Sequence, residues 1–453
     1  MTDPTKQTVP RTAAADTEIQ GSKRKPSTRH LGRTRSGSFI AAFGCLIIAF
    51  DGYDISAYGT TVPAMLDYAP WNASAAALGL VGSLTLVGML AGSLICGFAT
   101  DRLGRKIMLI LTIGWFSVCM IGCAVAPTLA VFGVFRFLAG MGLGGVLPIV
   151  VAFVIEFAPP RRRNTFNGFV HIGFPLGTIA ASMVGISVLG SLGFRPMYAF
   201  AALPLLLLPV AWFVLPESAA FLASKGRVRE AAEVAARFRL ELPSSDQPHQ
   251  ARPAAGRIRT LLDRGLLPKL VLFGLCGAFV QLIIYGLNTW LPQLMRQAGY
   301  PSTSALTLLA TLSAGAVVGG ITFGFVADRW GPRTVTCLAF TLGAIALAIL
   351  SAQPPAALAF VAAALAGAGS NGTANVLYGY VGTWAPAQIR ASALGSFISL
   401  ARIGGIVAPM SVGWIIAAGL PTRWNFLALL VPAVLGVVVT LALPRTRTAQ
   451  THV

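Results

Sequence analysis

The sequence predicts an all-α integral membrane protein in which twelve transmembrane helices form two pseudo-symmetric six-helix bundles. Three observations carry that expectation. Hydrophobic residues fill 55% of the 453 positions and charged residues only 11%, with a mean hydropathy of +0.73, which leaves too little polar surface for a water-soluble chain of this size. Apolar runs of about 20 residues, the length that crosses a ~30 Å hydrocarbon core, recur through the chain. A ten-residue segment also returns, Gly97-Phe98-Ala99-Thr100-Asp101-Arg102-Leu103-Gly104-Arg105-Lys106 reappearing 227 positions later as Gly324-Phe325-Val326-Ala327-Asp328-Arg329-Trp330-Gly331-Pro332-Arg333.

In chain order, residues 1–37 hold eight Lys/Arg and three acids with almost nothing to bury, and are expected to be a disordered basic tail. The tail is no signal peptide, because the first apolar run begins near Ser38 and is long enough to span, so it should remain as a helix. The N-terminal bundle, 38–215, is expected to place helices near 38–60, 74–99, 107–127, 129–154, 164–190 and 196–215. Residues 216–268 follow as a hydrophilic linker, helical over 225–239, with ten basic residues from Lys225 to Lys269 that suit a membrane surface. The C-terminal bundle, 269–443, carries helices near 269–293, 303–327, 334–352, 356–383, 391–418 and 424–443, and 444–453 is a short tail. Each repeated segment thus follows the second helix of its half.

Charge sets the orientation. The two tails, the linker and the loops on their side hold 29 of the 34 basic residues, so that side is expected to be cytoplasmic, with both termini inside. A net charge of +19 would suggest nucleic acid in a soluble protein, but here the charges are dispersed between apolar spans, and no nucleic-acid partner is expected. The partners implied are the lipid bilayer and a small solute, with the chain working as a monomer. The six cysteines lie inside apolar segments without CxxC spacing or a Cys/His cluster and read as small apolar residues. Without HExxH or GxSxG, the sequence offers no enzyme and calls for no metal or cofactor.

Several motifs resemble those of major facilitator transporters. Gly97 to Lys106 matches the loop signature G-x-x-x-D-R-x-G-R-R/K, Arg136 with Gly140 and Gly142 matches the fourth-helix pattern R-x-x-x-G-x-G, and Pro216-Glu217-Ser218 after the sixth helix also fits. Asp51-Gly52-Tyr53-Asp54 looks like the D-G-x-D signature of the aromatic acid:proton symporters, and Arg402-Ile403-Gly404-Gly405-Ile406 resembles their late R-I-G-x-I stretch. The resemblance covers about residues 38–443 and implies the major facilitator fold in a bacterial-type inner membrane. It also implies import of a benzoate, hydroxybenzoate, protocatechuate, gentisate or phenylpropionate with protons by alternating access. A carrier of another solute, such as muconate, a sugar or an exported drug, is the competing expectation.

Asp51 and Asp54 are the strongest physical signal, because a carboxylate inside a span costs a few kcal/mol and normally faces a partner or a water-filled cavity. A spacing of three sets them on one helix face, and two carboxylates so close do not both ionise cheaply. One of them is therefore a candidate proton carrier; an interhelical hydrogen-bonding pair is the alternative. Arg136, about 20 Å from the cytoplasmic face by helical rise, lies nearly level with Asp51, so the three are expected to form one proton-coupling network, with a static buried ion pair as the alternative. Arg402, about 16 Å into the eleventh helix, has no acid of matching depth in its own half, and the missing counter-ion is expected to be the substrate carboxylate. Pairing with helix carbonyls or with an acid of the first half is the alternative. Tyr53, His171 and Phe174 from the first half, with Tyr285, Asn288, Trp290, Asn371, Asn375 and Tyr378 from the second, are candidates for lining an aromatic site, and Trp290 also suits an interfacial belt. His171, the one histidine inside a span, could titrate near neutral pH. Asp101, Arg105, Asp328 and Arg333 in the repeated loops, with Glu156 and Arg390, read as a cytoplasmic gate or as positive-inside anchors.

Overall fold

The computed structural model describes residues 35–159, 162–238, 240, 266–386 and 389–444. Among these, twelve helices are long and apolar enough to cross a membrane: α1 (Arg35–Leu66), α2 (Ala75–Leu103), α3 (Arg105–Val125), α4 (Leu129–Phe157), α5 (Arg163–Leu192), α6 (Arg195–Val214), α7 (Leu267–Gln297), α8 (Ser302–Trp330), α9 (Pro332–Ser351), α10 (Ala356–Trp384), α11 (Arg390–Ala417) and α12 (Thr422–Ala442). The described residues contain no strand. Two short helices, Ala219–Ser224 and Val228–Phe238, follow α6 in the linker, and the side of the molecule that carries them is termed the linker side. Most of the basic N-terminal tail, the later linker and nearly all of the C-terminal tail fall outside the described residues.

Several helices outrun the apolar runs that announce them. α1 starts inside the segment expected to be tail and continues to Leu66, because hydropathy marks only the hydrocarbon-facing part of a helix. At ~1.5 Å per residue its 32 residues reach about 48 Å, enough to pass through the headgroup layer. α6 is not one regular helix. A 3-10 turn, Leu203–Leu207, joins Arg195–Ala201 to Leu208–Val214, where Pro204 and Pro209 each remove a backbone donor.

Small residues set the helix spacing within each half. On α4, a Cβ at Gly140 or Gly144 would collide with the Thr85 or Met89 carbonyl of α2, so α2 and α4 touch backbone to backbone. Gly367 of α10 meets the Leu312 carbonyl of α8 in the same way, and the equivalent pair of the second half repeats the contact. The apolar side chains left exposed, such as Leu94, Phe98, Trp212 and Val318, suit a lipid surface.

The two halves meet through α2 against α11 and α5 against α8. Away from the linker side this seam is tight. Ser83 Oγ donates to the Ile406 carbonyl at 2.6 Å, Ser56 Oγ donates to Asn288 Oδ1 at 3.4 Å, and both Asp67 oxygens accept from Arg296. Gly79 and Gly82 of α2 pack directly on Pro409 of α11. Toward the linker side the same two helices part, and a Cβ at Gly97 or Gly395 would meet nothing within 4 Å. Among the described residues, no hydrogen bond or ion pair joins the halves beyond those of Arg402 toward that side. The molecule is closed on the far side and open on the linker side.

Candidate substrate and proton site

Four charged groups lie at the depth where the seam begins to open. Asp54 and Arg136 are 0% and 1% exposed and form an ion pair inside the first bundle. The guanidinium also lies 5.1 Å from the Tyr58 ring centroid, while Asp54 Oδ2 and Arg136 Nε have no partner among the described residues. Asp51, one turn nearer the linker side and equally buried, takes no ion pair among the described residues, and its Oδ1 is unpartnered. The single network expected from sequence is therefore divided: Arg136 serves Asp54, not Asp51. At 100° per residue, three positions leave the two carboxylates about 60° apart around the helix, enough to separate their partners.

Arg402 completes the group from the second bundle. It is half-buried, and its Nη1 donates to the Met89 carbonyl at 2.7 Å and to Ser93 Oγ at 3.3 Å, both on α2. No carboxylate pairs with it among the described residues, although Asp51 lies within electrostatic reach. Tyr285 of α7 is within reach of both charges, and Tyr378 of α10 is within reach of Arg402. The Tyr378 ring stands edge-on to Phe397, centroids 5.3 Å apart. The arrangement can hold an anion on Arg402 against aromatic walls.

Other candidates fall elsewhere. Tyr53 is buried, and its hydroxyl donates to the Met197 carbonyl at 3.3 Å, so it packs into the first bundle instead of lining the seam. Asn288 spends its amide on the seal, donating to the Ile284 carbonyl and accepting from Ser56. Trp290 is no belt residue: it is fully buried, with Nε1 donating to the Pro409 carbonyl at 2.8 Å. His171 is exposed on the linker half of α5, with Nδ1 at 2.9 Å from the Asn167 carbonyl of its own helix. Asn371 is half-buried and Asn375 exposed, one turn apart on α10.

The expected linker-side gate takes a different form. Arg105 pairs with Glu156 of its own half, not with Asp101. Glu156 also accepts from Ser218 Oγ and the Ala220 amide, while Glu217 accepts from the amides of Arg105, Lys106 and Ser218. These bonds tie the linker to the first bundle and do not cross between halves. Asp101, Asp328 and Arg390 are exposed without ion pairs among the described residues, and Arg333 donates to the Leu441 carbonyl. Glu217, not singled out from sequence, was visible only as the centre of Pro216-Glu217-Ser218. Asp67 and Arg296, which join the halves on the far side, carry no motif at all.

Two splayed helical bundles whose seam holds a buried carboxylate and a cation with no carboxylate partner among the described residues define the class of a solute carrier, in which the site lies between repeats near the middle of the membrane. The Major Facilitator Superfamily model matches residues 44–322 and 273–453, and the chain belongs to that family. It is 34% identical to the benzoate transport protein of Acinetobacter baylyi, over 88% of each chain. It is 35% identical to the gentisate transporter of Corynebacterium glutamicum, over 86% of this chain and 84% of that protein. Among solved structures, the inward-open xylose transporter of E. coli superposes with a TM-score of 0.71 at 19% identity, covering 91% of this chain and 98% of that one, which identifies the fold.

Proposed function

We propose that the chain imports a benzoate-type aromatic carboxylate together with protons by alternating access. The observation that carries this reading is Arg402, a half-buried guanidinium at the seam that holds α2 through one nitrogen and has no carboxylate partner among the described residues. A guanidinium has five N–H donors in a planar fork, so donors remain for a substrate carboxylate beside Tyr285 and Tyr378. The benzoate and gentisate transporters among the relatives support an aromatic acid as that substrate.

Asp51 provides the coupling. With Arg402 and Asp51 in reach of each other, the empty site is near neutrality, and a substrate anion brings a second negative charge to one cation. A proton on Asp51 removes the excess, so anion and proton bind together. One proton per anion is electroneutral and draws on the pH gradient alone; a second would add about 2.3 kcal/mol per 100 mV. The Asp54–Arg136 pair holds α1 against α4 beside this site. On this reading the linker side is cytoplasmic, the protein lies in the inner membrane of a bacterium-like cell, and one chain suffices for transport.

The test is uptake of radiolabelled benzoate-type acids into proteoliposomes under an inward proton gradient. Saturable, gradient-driven uptake that is lost in Asp51→Asn and Arg402→Ala is the expected result. Uptake indifferent to the gradient would sink the coupling, and a preference for neutral analogues would sink the substrate class.

A further inference from the structure

On the sealed side of Arg402, the seam holds a half-open cavity of about 10 Å³, lined by Tyr58, Thr85 and Arg136 of the first half and by Tyr285, Thr289 and Pro409 of the second. That volume is at the lower edge of what admits a single oxygen-sized group. Its polar lining is unusual. Buried threonines inside the spans, such as Thr60, Thr61, Thr112, Thr373 and Thr440, donate to a carbonyl three or four residues earlier. Thr85 and Thr289 make no such bond among the described residues, though they are only 2% and 3% exposed. Thr85 Oγ1 and Arg136 Nε are enclosed and have no partner among the described residues, the guanidinium being otherwise engaged by Asp54. A buried hydroxyl and a buried N–H, belonging to two residues that line this pocket, carry a desolvation cost that a bound hydroxyl group would remove, since it both donates and accepts.

The cavity is also correctly placed relative to Arg402. Met89, whose carbonyl Arg402 touches, is one turn of α2 from Thr85, a rise of about 6 Å. An aromatic acid spans a comparable distance from its carboxylate to an oxygen at the meta or para ring position. Tyr285 borders the cavity and lies within electrostatic reach of Arg402, so it is near both.

We infer that Thr85, Thr289 and Arg136 Nε form a hydroxyl subsite that reads the ring substituent of the substrate, so that the transporter prefers 3- or 4-hydroxybenzoate to benzoate. The inference rests on the proposed binding of the carboxylate at Arg402. A hydrogen-bonded hydroxyl admitted by both halves also ties the ring to the closed far side.

Competition binding to the purified full chain with benzoate, 3-hydroxybenzoate and 4-hydroxybenzoate tests it. In wild type, one of the hydroxylated acids binds more tightly than benzoate. Thr85→Val and Thr289→Val, which keep the shape and remove the hydroxyl, reduce that ratio by about three- to tenfold, and Thr85→Ser restores it. Because the ratio is internal to each variant, a general loss of folded protein does not imitate the effect. If wild type binds no benzoate-type acid, the proposed function fails first. If it binds benzoate and the ratio is unchanged in both valine variants, the subsite reading is overturned and the cavity serves water or packing alone.

Discussion

At the scale of single residues, the site separates charges by their partners. Arg136 and Asp54 are both enclosed, and removing one leaves the other buried without compensation, which costs about 3–5 kcal/mol for pairs of this kind. Arg136→Ala should therefore reduce the amount of folded protein, measured by thermal unfolding in detergent, and adding Asp54→Asn should recover part of it. A double variant no better than the single one would argue against the pair as the cause. Arg402 behaves differently, because its partners are a backbone carbonyl and a serine hydroxyl. Arg402→Ala should leave stability nearly unchanged and weaken binding of a benzoate-type acid by about ten- to a hundredfold, the worth of a charge-assisted contact. Equal loss of stability and of affinity would place Arg402 with the structural charges instead.

At the scale of helices, the chain relies on missing side chains. A Cβ at Gly177 of α5 would collide with the Ala49 carbonyl of α1, and one at Gly52 of α1 would meet the Phe174 carbonyl of α5, so the helix that carries both carboxylates is positioned by backbone contact. Gly177→Val should lower expression and shift Asp51, costing uptake even in the folded fraction. Gly97→Ala, which meets nothing within 4 Å, should be silent for stability in the linker-side-open state, where the unfolding measurement checks it. Gly140 was legible in sequence as part of the fourth-helix pattern. The break in α6 was not, since Pro204 and Pro209 sit within an uninterrupted apolar run and hydropathy is blind to backbone donors.

At the scale of the whole molecule, the far-side seal includes one ion pair between the halves, Asp67 with Arg296. Hydrogen bonds from Arg296 hold the Asp67 carboxyl below its ordinary range. The contact is therefore fully present above about pH 4, the ordinary carboxylate pKa, and is lost only as pH falls through the depressed value. Asp67 is largely exposed, so the pair biases the closed side by at most about 1 kcal/mol, a population shift of up to about fivefold. Asp67→Asn should raise far-side accessibility, measured by labelling of an introduced cysteine near Arg296, by up to that factor and equally from pH 5 to 8. A variant effect that vanishes within this window would mean another group controls the seal. High salt should reproduce part of the effect in the unaltered protein.

Sequence alone gave the twelve spans, the repeated segment, the family and the charged residues of the candidate site, because each is written in local terms: hydropathy over about 20 positions, a repeated motif, or an ionisable group where none is cheap. Only the tertiary structure decided which carboxylate Arg136 takes, that Tyr53, Asn288 and Trp290 are committed to packing, that Arg105 belongs to Glu156, and which side of the seam is closed. Those outcomes depend on the rotation of each helix about its axis and on contacts between halves more than 200 residues apart in sequence, such as Ser56 with Asn288 and Ser83 with Ile406. Hydropathy and motif spacing measure depth along a helix, not the direction a side chain faces, and it is direction that assigns partners.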